Sequence, residues 1–355
     1  MRGSSNLLPS RAHAGYITRA VDTELLKTNT PELFAEGILR AAETLRRGEL
    51  VAVPTETVYG LAANALEADC VGKIFEAKQR PQENPIIVHV ASESMARDCV
   101  AEWPEAASAL AKAFWPGPLT LVLPKAEGIP HNVTAGGETV GVRWPRHPFM
   151  QELIDACQFP LAVPSANLSN HLSPTTAAHV KSQMEGRIPL IIDGGAAKVG
   201  IESTVVDLTG EARVLRPGMI SAEAIAAALP EAKALGLGEE KAGPLKSPGQ
   251  MPRHYAPNAR LLVMTWKDEE DLESQIAYSR TPHDRVCVIA HTSIVGGTRF
   301  GRGSVLPHDP EAYARALYGE LHRCDGEGAE LICVEAVPED PDWQGISDRL
   351  ARAGA

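Results

Sequence analysis

Cysteines are few in this sequence, and long hydrophobic runs are missing. The six cysteines, at positions 70, 99, 157, 287, 324 and 333, form no CxxC pair and have no histidine at zinc-finger spacing. Reduced thiols are therefore expected, and a structural zinc site is not. No apolar stretch approaches the roughly 20 residues that span a bilayer, which sets membrane insertion aside. The opening MRGSSNLLPSRAHAGY has basic residues but no continuous apolar segment. It reads as a flexible leader or expression remnant rather than a signal peptide, and the expected compartment is the cytoplasm. Positive charge is in deficit: 34 Lys and Arg stand against 45 Asp and Glu, a formal net charge of −11. A broad surface for RNA or DNA is not expected, so stable RNA binding is disfavoured. An anionic substrate must instead meet a local cluster of cations. The G-x-G-x-x-G, G-x-x-x-x-G-K-[ST] and G-x-S-x-G signatures are also missing. Their absence argues against a dinucleotide fold, a P-loop and a serine-hydrolase elbow.

What is present is periodic. From about residue 33 to 218 run the strand candidates ELVAVP, PIIVHV, LTLVLP, TVGVRWP, FPLAVP, IPLIID, STVVDL and RVLRP. Helical patterns separate several of them, for example Val71, Ile74, Phe75 and Lys78, closed by Pro81. The alternation predicts one large, twisted α/β sheet. An Ala-rich stretch and the turn-rich EEKAGPLKSPGQMPRHYAPNA then read as a linker. Beyond it, ARLLVMTW, EEDLESQIAYSR, DRVCVIAH, PEAYARALYGELHRC and AELICVEAVP read as β-α-β-α-β. That pattern predicts a smaller, Rossmann-like parallel-sheet domain of about 100 residues. The expected division is 30–222, a linker over 223–258, and 259–355.

Four constellations carry possible chemistry. Lys78 and Arg80, with Asn84 before the strand that holds His89, either complement a helix C-terminus or form a fork for phosphate or carboxylate. In ETVGVRWPRHP the two-residue period puts Thr139, Gly141 and Arg143 on one strand face and Val140, Val142 and Trp144 on the other. Arg143 then needs a partner, an internal carboxylate or a bound anion. Ser165, Asn167 and Ser173 follow a strand as turn-formers and caps, or as donors to a nucleotide. In GIESTVVDLTG, Ser203 and Thr204 open a strand, and Arg216 closes the next one. Hydroxyls and arginine at strand ends suit triphosphate, and capping explains them nearly as well.

VPTETVYGLAANA, AKQRPQENPIIVHV, FWPGPLTLVL, VGVRWPRHP, PSANLSNHLSPT, GIESTVVD, LRPG and SPGQMPRHYAP occur in this order. Together they closely resemble the threonylcarbamoyl-adenylate synthase family in its long two-domain form. The match covers roughly residues 30 to 257, and the closing QGISDRLARA is also similar to that family's C-terminal end. The resemblance implies a YrdC-like domain with a large mixed sheet. It also implies an enzyme that joins L-threonine, bicarbonate or CO2, and ATP into threonylcarbamoyladenylate, releasing pyrophosphate. A partner transferase complex would carry the group to tRNA, beside the anticodon.

By the same resemblance Thr57, His89, Arg143, Val163 and Ser203 correspond to threonine-binding positions, and Tyr59 shapes the wall. Lys78, Arg80, Asn84, Thr139, Ser165, Asn167, Ser173, Arg216 and Tyr255 correspond to ATP-binding positions. Lys78 and Arg80 are the expected catalytic cations, Mg2+ is expected to arrive with ATP, and the linker around Tyr255 is expected to fold over the nucleotide. Two departures stand out. The loop after PSAN reads LSNH where a glycine usually follows the serine, and Asn170 can supply the left-handed turn instead. The linker reads GQMPRHYAP, less basic than the form often seen. Alternative classes are a double-stranded RNA-binding module, which salt-sensitive RNA binding without ATP turnover would mark, and a carbamoyltransferase using carbamoyl phosphate, which threonine dependence separates from the synthase.

Overall fold

Helix starts follow local chemistry. Thr30 accepts a hydrogen bond from the Leu33 N–H, with Pro31 and Glu32 in the first turn; Asp309 does the same for Ala312, ahead of Pro310. A computed structural model describes residues 21–229, 245–248, 255–293 and 300–355. The sequence's opening leader and most of its expected linker lie outside the described residues.

In chain order the first unit contains β1 (Glu24–Lys27), α1 (Pro31–Arg46), β2 (Val51–Val53), β3 (Gly60–Asn64), α2 (Ala68–Lys78), β4 (Val88–His89), α3 (Glu93–Asp98), α4 (Glu105–Phe114), β5 (Leu119–Pro124), β6 (Thr139–Arg143), α5 (Pro148–Cys157), β7 (Leu161–Ala162), α6 (Ala177–Met184), β8 (Leu190–Asp193), β9 (Thr204–Asp207), β10 (Arg213–Arg216) and α7 (Ala222–Ala228). The strands form one mixed sheet in the order β1-β8-β2-β3-β7-β4-β6-β5-β9-β10. Side-chain alternation explains why the strands read as unbroken apolar runs. Val51 and Val53 enter one core with Phe149, Leu161 and Val163, while Ala52 enters the opposite core with Leu61, Val88 and Leu121. A sheet covered on both faces requires this.

The second unit contains β11 (Arg260–Met264), α8 (Glu269–Ala277), β12 (Val286–Ala290), β13 (Arg302–Val305), α9 (Pro310–Gly326), β14 (Leu331–Glu335) and α10 (Gln344–Ala353). Its sheet, β11-β14-β12-β13, is parallel throughout. Three strands escaped the sequence pattern, β1 because it lies ahead of the segment in which strands were expected. β3 is Gly- and Ala-rich, and β13 alternates exposed with half-buried positions without an apolar run. The first unit also extends past its expected limits of 30 and 222. β1 pairs with β8 ahead of residue 30, and Ile225 and Leu229 belong to the main core.

The two units dock without space to spare. Gly200, at φ +92°, sits so that a Cβ would lie 2.3 Å from the Ala314 carbonyl oxygen and 2.4 Å from Arg315 Cα. Nearby, the His179 and His322 rings stack at 3.9 Å, and His322 Nε2 donates to the Ser173 carbonyl at 3.0 Å. Burial lowers both imidazoles, His179 to about 4. Gly200→Val is expected to destabilise the protein by about 1–3 kcal/mol or more through this overlap. Urea unfolding checks it, and an unchanged midpoint would contradict close docking.

The histidine pair makes a second prediction. The unfolded chain binds a proton at His179 near pH 6.5, while the folded site resists until about 4. This contribution is therefore whole above pH 6.5 and is lost as pH falls towards 4. Stability measured across that window should decline, and His179→Phe should flatten the slope; equal slopes would count against it.

Candidate active site

The site lies where strand ends of the first unit meet the start of the second. α2 buries Val71, Ile74, Phe75 and Lys78 on one face and ends at Gln79, which is left-handed at φ 51°. The chain then turns so that Arg80 donates through Nε to the Asn84 carbonyl at 3.1 Å and through Nη2 to the Pro85 carbonyl at 2.8 Å. Burial pulls the Arg80 guanidinium down to about 10, still charged at neutral pH. β4 and β6 run parallel with His89 beside Arg143 in register. Val140 and Val142 enter the core while Arg143 faces a cavity, so the strand-parity expectation describes this strand.

That cavity, of about 50 Å3, is lined by Thr55, Thr57, Val58, Gly60, Arg80, Ile87, His89, Arg143, Val163, Pro164, Ser165, Glu202, Ser203, Arg216, Pro248 and Tyr255. On one side, Arg143 Nη1 donates to Thr57 Oγ1 at 3.0 Å and Nε to the Gly117 carbonyl at 3.3 Å. Its Nη2 lies 2.8 Å from Glu56 Oε1, off the alignment of a hydrogen bond. Among the described residues, neither ring nitrogen of His89 has a hydrogen-bond partner. Burial, reinforced by Arg143, holds His89 well below the usual histidine range. It is a neutral imidazole with one donor and one acceptor facing the cavity. Gly60 permits the floor to close here, since a Cβ would lie 2.2 Å from Val163 Cγ1.

On the other side, Arg216 donates to the Ser203 carbonyl and Ser203 Oγ at 3.1 Å each, to the Pro248 carbonyl at 3.3 Å and to the Tyr255 hydroxyl at 3.4 Å. Ser203 Oγ is also 2.8 Å from Thr120 Oγ1. Glu202 accepts from Ser173 Oγ at 2.5 Å, from Arg349 Nε at 2.7 Å and from the Tyr318 hydroxyl at 3.3 Å. Burial works to raise its carboxyl, but Arg349 and Arg216 outweigh this and hold it below the usual range.

Several expected residues stand behind the cavity rather than on its surface. The three donors of the Lys78 ammonium go to the Ser165 carbonyl, the Asn167 carbonyl and Asn167 Oδ1. Burial, with Arg80 adding to it, holds Lys78 well below the usual lysine range. Lys78 thus tethers the loop after β7, whose turn at Asn170 is left-handed at φ 67°. Asn167 completes this loop by donating to the Leu168 and His171 carbonyls. Asn84 is buried under Arg80, Ser173 serves Glu202, and Thr139 starts β6, about 13 Å along the strand from Arg143. Tyr59 is a core residue whose hydroxyl bonds the backbone of Gly194 and Gly195, not a side chain of the cavity. Thr55, Glu56, Glu202 and Arg349 were not singled out from sequence. Glu202 lies within GIEST and Arg349 within QGISDRLARA, and only their burial distinguishes them from surface charges.

These features define a two-domain α/β protein with a closed cleft of guanidinium, hydroxyl and imidazole groups. A family model described as "Telomere recombination", covering Sua5, YciO and YrdC proteins, matches residues 43–218. A second, described as "Threonylcarbamoyl-AMP synthase, C-terminal domain", matches residues 220–355. Threonylcarbamoyl-AMP synthase of Pyrococcus abyssi is 42% identical over 334 residues, 92% of this chain and 96% of the relative. That of Bacillus subtilis is 40% identical over 336 residues, 93% and 95%. The crystal structure of P. abyssi Sua5 complexed with L-threonine has a TM-score of 0.85 at 39% identity, covering 94% of this chain and 97% of that one. The chain belongs to the threonylcarbamoyl-AMP synthase family.

Lys78→Met tests the tether. Removing the one donor shared by these acceptors should cost about 1–3 kcal/mol. Thermal unfolding reads the loss, and an unchanged midpoint would mean the loop is held by other contacts.

Proposed function

We propose that this protein is a threonylcarbamoyl-AMP synthase, taking L-threonine, CO2 or bicarbonate and ATP to threonylcarbamoyladenylate and pyrophosphate. The observation that carries the reading is one cavity with Arg143 and a neutral His89 on one wall and Arg80, Arg216 and Ser203 on the other. Arg143 takes the α-carboxylate of threonine as a bidentate guanidinium. His89 offers hydrogen bonds beside the amine and side-chain hydroxyl, and Val163 meets the methyl group.

The free amine adds to CO2, giving a carbamate and releasing a proton. A carbamate oxygen then attacks the α-phosphorus of ATP in line, and pyrophosphate leaves with the electron pair of the broken P–O bond. No side-chain nucleophile is needed; positioning and offset of developing charge are. Arg80 and Arg216 supply that charge, and Lys78 acts by holding Ser165 and Asn167 in place. Mg2+ would arrive with the polyphosphate and offset part of its charge beside Arg80 and Arg216. Among the described residues no group of three His, Cys, Asp or Glu side chains is arranged to hold a metal, and Glu202 is engaged elsewhere.

A cavity of about 50 Å3 is far below the several hundred that ligand pockets hold. ATP therefore enters when Pro248 and Tyr255 withdraw, and their return excludes water from a labile mixed anhydride. The product passes to a transferase that modifies tRNA. No helix among the described residues is long and apolar enough to cross a membrane.

Pyrophosphate release from ATP with bicarbonate present tests the assignment. It should require L-threonine, fall about tenfold or more with L-serine, which lacks one methyl group, and fall about 30-fold or more in Arg143→Ala. Release indifferent to the amino acid would overturn the reading.

A further inference from the structure

Arg349, on α10 of the second unit, has a fully buried side chain. It pairs with Glu202 Oε2 at 2.7 Å and with Asp348 Oδ2 at 2.5 Å, and its Cζ lies 5.2 Å from the centroid of the Tyr255 ring. Burial works against its charge, and Tyr255, Glu202 and Asp348 together hold the guanidinium above its ordinary range. Glu202 in turn lines the same cavity as Arg80, Ser203 and Arg216. An uncompensated carboxylate there would repel a polyphosphate laid along those groups.

We propose that Arg349 is a positioning residue for the nucleotide: the second domain neutralises Glu202 from behind, so that the wall formed by Arg80, Ser203 and Arg216 accepts a polyanion. This rests on the reading that the cavity takes ATP. The geometry favours a charge role over simple packing. Glu202 has both oxygens occupied, Oε1 by Ser173 and Oε2 by Arg349 and Tyr318, so it has little capacity left to bind ligand itself. Its remaining effect on an anion is its charge, and Arg349 is the cation in direct contact with it. The threonine side is served by a different set, Thr57, His89 and Arg143, none of which contacts Arg349. The consequence should therefore be confined to ATP.

The test compares wild type, Arg349→Met, and Arg349→Met combined with Glu202→Gln. It reads ATP affinity by calorimetry and the KM values for ATP and threonine by pyrophosphate release. Arg349→Met should weaken ATP about tenfold or more and leave the threonine KM within about twofold, because it strands a buried carboxylate beside the phosphates. Adding Glu202→Gln removes that charge and should restore ATP to within about threefold of wild type. Loss of packing alone would not be rescued by the second substitution.

If Arg349→Met does not fold, the double variant decides. A folded double variant with near-normal ATP affinity supports the proposal. An unfolded one, or a folded one still about tenfold weak, overturns it, as does unchanged ATP affinity in Arg349→Met. Wild type that binds ATP without releasing pyrophosphate would sink the synthase reading while leaving this inference open to the same affinity comparison. Wild type that does not bind ATP overturns both.

Discussion

Lys78, Arg80, Arg143, Arg216 and Arg349 are all buried in an acidic protein. The surrounding structure is arranged around compensating them. A buried charge without partners costs several kcal/mol, so each of these cations carries a set of acceptors. Lys78 takes its three from the loop after β7, and Arg80 takes backbone carbonyls from its own turn. Arg216 takes Ser203, Pro248 and Tyr255. Most of these partners are neutral. Among the described residues only Glu56, Glu202 and Asp348 supply negative charge by direct contact, so the cluster keeps a positive excess. That excess is the local cation patch which an overall negative chain needs in order to meet an anionic substrate.

The same compensation joins the two domains. The small unit presents α9 and α10 to the large one, with Tyr318 and Arg349 reaching Glu202, His322 stacking on His179, and Gly200 allowing backbone to approach backbone. Tyr255, at the entry to the second domain, has its ring against Arg349 and its hydroxyl on Arg216. One side chain therefore touches a cation of each domain at the cavity. The hydrogen bonds of Arg216 at the cavity mouth, 3.3 Å to the Pro248 carbonyl and 3.4 Å to the Tyr255 hydroxyl, are longer than the 2.7 Å contact of Arg349 with Glu202 behind it.

Much of the fold was legible because strands buried on both faces announce themselves as short apolar runs. The helical spacing of Val71, Ile74, Phe75 and Lys78 named the buried face of α2, Lys78 included. β1, β3 and β13 were not legible. β1 reads ELLK with no β-branched residue, β3 is rich in glycine and alanine, and β13 is half solvated, so none has the β-branched density that marks a strand. At the site, the period-2 argument located Arg143 on the face away from Val140 and Val142, since strand geometry fixes this locally. Thr139 shares that parity but begins the strand, and parity says nothing about distance along it.

The order of motifs along the chain, the identity of the cations and hydroxyls, and the family they indicate are properties of the sequence by itself. They depend on residue type and on short-range periodicity. Which charges would be buried, and against what, was decided only by the tertiary structure. Glu202 and Arg349 lie 147 positions apart, and Lys78 and Asn167 lie 89 apart. Such pairs exist only after a ten-stranded sheet has closed and a second domain has docked on it. Local sequence patterns report the face a side chain occupies, whereas partnership across that distance depends on how the whole chain packs.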